Sequence, residues 1–133
     1  KFKASSTSNL SLAANYTRIV NLTEEYDSHN AFTPSTGFFV APVTGVYDFK
    51  AGLCFTTASS RRFLQLEKGT AAAGSNTTLV RVEGPATAYS AINISVDVQL
   101  AAGDSVAFVA YSASATTSNG SFAPNFFSGR LVD

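Results

Sequence analysis

The densest group of residues able to move protons or hold an ion is "TEEYDSH" (23–29), which places Glu24, Glu25, Asp27 and His29 within six positions. Carboxylates at this spacing, helped by a carbonyl, suit Ca²⁺, and two carboxylates flanking a bond are the minimum for glycoside hydrolysis. A solvated loop accounts for the same residues, and nothing in the sequence fixes a catalytic geometry. His29 is the single histidine, so a multi-histidine metal site within one chain is excluded. A Ser-His-Asp relay would have to run through His29, yet no serine lies in a nucleophile-elbow motif. Cys54 is the single cysteine, which excludes an intrachain disulfide framework and a cysteine-rich zinc site. Its setting, "AGLCFTT", reads as a buried strand position. Arg61 and Arg62 form the one adjacent basic pair. They could grip a carboxylate or phosphate, although strand geometry sends them to opposite faces and lets one pair with Glu83. Gly69, Gly74 and Gly84 lie in separate turns, none of them a phosphate-cradling loop before a helix. These residues point away from an enzyme and imply no cofactor.

The elements that must position them are strands. Of 133 residues, 45% are apolar and 14% charged, with zero net charge. That is enough apolar content for one domain with a core, and the charge is well below the roughly 25% of ordinary soluble domains. The absence of a basic excess argues against nucleic-acid or anionic-membrane binding. No apolar run reaches the length of a membrane span and no signal peptide is legible. The start at Lys1 in a chain without methionine is read as a fragment or processed product.

Period-two alternation dominates. In "INISVDVQL" (92–100), Ile92, Ile94, Val96, Val98 and Leu100 share one face. "AAGD" (101–104) then turns the chain into a return strand, "SVAFVAYSA" (105–113). Further strands are expected near 17–22, 37–41, 45–55, 62–67, 77–83 and 126–132, about eight to ten in all with shorter ones. Many short strands separated by Gly, Pro, Ser and Thr turns make an all-β antiparallel sandwich or barrel. The Ser-rich residues 1–16 read as a linker, a stalk remnant or an edge strand, and 17–133 as the domain. Along "GVYDFKAGL" (45–53), Tyr47, Phe49, Ala51 and Leu53 face one side, as a core-lining strand requires.

The spacing Asp27, Phe32, Phe39, Gly45, Tyr47, Phe49 resembles the signature of the C1q domain of the C1q/TNF superfamily, and "FFSGRLV" (126–132), with Phe127 and Gly129, resembles its closing strand. Asn21 stands where that signature has its first Phe, and Ala51 where it has its last aromatic. The resemblance implies a jelly-roll β-sandwich that assembles as a compact homotrimer, commonly at the end of a stalk, with a ligand-binding head. It also places the loops near 23–31, 57–61, 84–90 and 113–125 at the end far from the termini. Candidate ligand contacts there are Asp27, His29, Ser59, Ser60, Arg61, Tyr89 and Asn119.

Aromatic, amide and hydroxyl groups on exposed loops suit sugars. The function expected is a non-enzymatic, extracellular recognition or adhesion head at a fibre tip, similar to those of phage tail fibres and bacterial surface adhesins, binding a cell-surface glycan or protein. The alternatives are a trimerisation module for a stalk, or a secreted ligand for a protein receptor.

Overall fold

The computed structural model describes residues 1–57 and 61–133, so Ser59 and Ser60 lie outside the described residues. Thirteen strands occur among the described residues: β1 (Phe2–Ser6), β2 (Ser11–Leu12), β3 (Asn15–Arg18), β4 (Thr23–Asp27), β5 (Phe32–Thr33), β6 (Phe38–Val40), β7 (Gly45–Phe55), β8 (Arg62–Lys68), β9 (Thr77–Gly84), β10 (Ser90–Leu100), β11 (Ser105–Ser112), β12 (Thr116–Thr117) and β13 (Asn125–Leu131). One sheet runs β10-β7-β13-β1-β4 and the other β5-β6-β11-β8-β9, with β3 beside the last residues of β11 and a small β2–β12 pair at one end. The pairings are antiparallel.

The aromatic residues clustered between Phe32 and Phe49 have a packing explanation. Phe32, Phe39, Tyr47, Phe49 and Phe127 are buried between the sheets with Phe2 and Phe108. Phe2 stacks on Phe32 at 4.8 Å and on Phe39 at 5.1 Å, and meets Phe127 edge-on at 5.0 Å. Gly129 is the residue that lets these rings close. It pairs with Phe2 on one side and Phe49 on the other, and a Cβ there would lie 2.7 Å from both rings. Ala51 fits the same logic, since it is fully buried with no room implied for a ring. Phe38, the partner of Phe39 that must face outward, lies half-buried under the Arg18 guanidinium at 4.2 Å.

Three expectations are corrected. Residues 1–16 are neither linker nor edge strand throughout, because β1 lies inside the first sheet between β13 and β4. Its Phe2 and Ala4 are buried in the core. The strand expected at 17–22 ends at Arg18. Asn21 then takes a left-handed φ of 61°, and the chain crosses to the other sheet with Ile19 and Leu22 buried. The polar cluster expected as a loop begins with a strand, β4, whose side chains are mostly exposed at the sheet edge.

The segment 69–76 is more than a turn. It folds back over the outer face of the second sheet. Buried Glu67 accepts the Gly74 N–H at 2.9 Å and the Asn76 amide at 3.1 Å, and Arg18 donates to the Ala71 carbonyl.

Candidate functional site

Strand direction divides the candidate residues between the two ends of the sandwich. β4 runs antiparallel to β1 with Asp27 opposite Phe2, so Asp27 and His29 sit at the end holding the termini, beside Lys1, Val43 and Arg130. This corrects the placement of the 23–31 loop at the far end. Asp27 is occupied structurally: its carboxylate accepts the Phe32 N–H at 2.7 Å and the His29 N–H at 3.2 Å. Burial pushes this carboxyl up, but the N–H groups of Phe32, Ala31 and His29 outweigh it and hold the group below its ordinary value. Glu25 is engaged elsewhere, bridging Ser5 and Lys3 on the outer face of the first sheet.

Arg61, Tyr89 and Asn119 lie at the opposite end. Arg61 forms an ion pair with Glu83 and lies over the Phe63 and Tyr111 rings. The opposite-face arrangement of the arginine pair sends Arg62 inward, where it is fully buried and stacked 5.1 Å from the Phe55 ring. Its Nη1 donates to the Thr87 carbonyl and the Ser90 hydroxyl, both at 3.1 Å. Burial lowers its pKa. An arginine able to grip an anion is instead a pin that fixes the loop carrying Tyr89.

Tyr89 follows from the register of β10 on β7, where Ser90 faces Phe55 and the next residues are Tyr89 and Thr56. The residue is 55% exposed and its φ is +55°, a left-handed conformation costing a non-glycine residue about 1–2 kcal/mol. Beside it stands Phe122, 65% exposed, with ring centroids 5.5 Å apart and planes tilted by 42°. Asn119 builds the turn that carries Phe122. Its N–H donates to the Cys54 carbonyl at 2.8 Å, and its Oδ1 accepts the Phe122 N–H at 3.1 Å and the Ser121 hydroxyl at 2.9 Å. Asn9 braces this turn by accepting the Gly120 N–H at 3.1 Å.

Thr56 follows Phe55 opposite Tyr89 in register, and threonine hydroxyls pair there: Thr57 meets Thr116 at 2.6 Å, and Thr56 meets Thr117 at 3.0 Å. Phe122 escaped sequence analysis because it belongs to no alternating strand. The available signal was one large ring isolated in the polar loop "TTSNGSFAPN" (116–125).

A second concavity of about 460 Å³ opens on the outer face of the first sheet, between Lys3, Glu25, Asn93, Pro124 and Phe126. On its floor Asn93 and Phe126 close over Gly52, where a Cβ would lie 2.3 Å from the Asn93 amide oxygen and 2.4 Å from the Phe126 ring. Among the described residues no three His, Cys, Asp or Glu side chains converge as a metal site.

Two five-stranded antiparallel paths packed face to face, a closing strand beside the first, and loops clustered at the ends define a jelly-roll sandwich. The family model of the C1q domain matches residues 1–132, and the chain belongs to that family. Among solved structures it is similar to the globular domain of zebrafish complement 1qA protein, at 18% identity and a TM-score of 0.66, covering 99% of this chain and 96% of that one. It is also similar to Eiger TNF from S. frugiperda, at 14% identity and a TM-score of 0.76, covering 99% and 90%. Murine APRIL is similar at 15% identity and a TM-score of 0.75, covering 98% and 97%. A search of curated protein sequences found no match. C1q/TNF domains are typically trimeric, bind ligands or receptors, and are generally recognition modules rather than enzymes. They are usually extracellular or secreted. Among the described residues, no helix is long and apolar enough to cross a membrane.

Proposed function

We propose that this domain is an extracellular, trimeric, non-enzymatic recognition head that meets a cell-surface glycan or protein with the end remote from its termini. One observation carries this reading: Tyr89 and Phe122 present two large exposed rings side by side at that end. A soluble domain ordinarily covers such rings, and these are held out by a strained backbone and dedicated hydrogen bonds. The termini lie at the other end, leaving this surface clear of any stalk to which the head is joined.

The test is binding of labelled protein to a panel of intact bacterial and animal cells. Burying one aromatic side chain contributes about 1.5–3 kcal/mol. A Tyr89→Ser/Phe122→Ser variant is therefore expected to lose tenfold or more in cell binding at an unchanged Tm. Equal binding by variant and parent would sink the reading and leave a trimerisation module as the better account.

A further inference from the structure

We infer that the Tyr89–Phe122 site takes a neutral pyranose glycan. This rests on the recognition reading of the same surface and narrows its ligand to one class.

Charge excludes the anionic sugars first. The segments 7–12, 84–90 and 113–124 at this end contain no Asp, Glu, Lys, Arg or His. Of the two arginines nearby, Arg61 is held by Glu83 and Arg62 is fully buried against Phe55. A sialylated or sulfated glycan would find only Arg61, whose charge is already matched by Glu83, whereas a neutral sugar needs no cation.

Size argues against a protein partner. A stable protein interface buries roughly 800 Å² per partner around an apolar centre. Here the apolar surface is two rings. The other large exposed apolar side chains Tyr26, Val40, Val43, Leu131 and Val132 lie toward the opposite end, and Val82 is on β9.

Chemistry then selects the sugar. A pyranose has one face of C–H groups and an edge of hydroxyls. Two rings 5.5 Å apart and tilted by 42° offer apolar faces for the former. The hydroxyls of Ser121, next to Phe122 in the chain, and of Thr56, opposite Tyr89 in register, can each donate or accept and so can rotate to match the latter. Preorganisation is already in place. The Arg62 hydrogen bonds to Thr87 and Ser90 and the Asn119 bonds to Phe122 fix both loops before any ligand arrives, which lowers the ordering cost of binding.

The experiment uses the whole chain displayed multivalently on an array of neutral hexose- and N-acetylhexosamine-terminated glycans beside sialylated and sulfated ones. Parallel binding to target cells is measured after periodate oxidation of vicinal diols or after protease. The expected result is binding to neutral glycans, loss of cell binding after periodate, and at least a tenfold reduction of both by Tyr89→Ser/Phe122→Ser. Three outcomes overturn the inference: binding confined to sialylated or sulfated glycans, no binding to any glycan, or cell binding that resists periodate and is destroyed by protease. If the variant still weakens cell binding in those cases, the recognition surface stands and only its ligand class is wrong. If the variant binds cells as the parent does, the surface itself is wrong.

Discussion

Asp27 shows how a residue suited to chemistry can be used for architecture. Its carboxylate caps the turn into β5 by accepting main-chain N–H groups, and those bonds are stronger to the ionised form. The folded pKa is therefore below the ordinary 3.8 despite partial burial. The contribution to stability is complete above that ordinary value and disappears as pH falls through the lower folded one. Asp27→Asn is expected to be less stable than the parent by a constant margin from pH 7 down to about pH 5, with the gap closing below about pH 4. Urea midpoints across pH would show it. The sequence makes Asp27 look available because spacing reveals a carboxylate but not the N–H groups folded around it. Phe122 is the opposite case, since burial is the usual fate of Phe and only the three-dimensional turn built by Asn119 shows the ring held outside.

At the level of elements, legibility tracks how much of a strand's pattern is dictated by one buried face. β7 and β10 are eleven residues long and alternate strictly along much of their length, so hydrophobic period alone reveals them. β4 escapes because its position at the sheet edge leaves nearly every side chain wet. β1 escapes because five residues in a Ser-rich context show only one and a half periods, "FKA". Yet β1 is central. Phe2 is buried against Phe32, Phe39 and Phe127, and truncating a packed phenylalanine costs about 3–5 kcal/mol. Phe2→Ala is expected to lower stability by that amount in chemical denaturation, whereas substitution of a linker residue would leave the midpoint unchanged. Arg62 gives the same lesson for loops. Alternation places one arginine of the pair inward, but that it would pin the Tyr89 loop depends on β8 and β10 meeting across the sandwich.

For the whole molecule the open quantity is the number of copies. The family is typically trimeric, and one chain has a mass of 13.9 kDa. Sedimentation equilibrium at low micromolar concentration is expected to give about three times that mass. A monomer under those conditions would remove three-fold assembly from the proposed function while leaving the Tyr89–Phe122 surface to be judged by its own variant. Copy number bears directly on the proposed recognition, because linked sites convert modest affinities into avidity when their spacing matches the target.

The position of β1 has a mechanical meaning as well. It enters at the end holding the termini, runs toward the opposite end, and is laddered to β13 on one side and β4 on the other. Tension applied at Lys1 while the remote loops grip a surface would draw β1 lengthwise between its neighbours. Hydrogen bonds perpendicular to that pull must then fail together in shear instead of peeling one after another. Under such a load the ladder geometry of β1, rather than the affinity of the loops, would set the resistance of the fold to tearing.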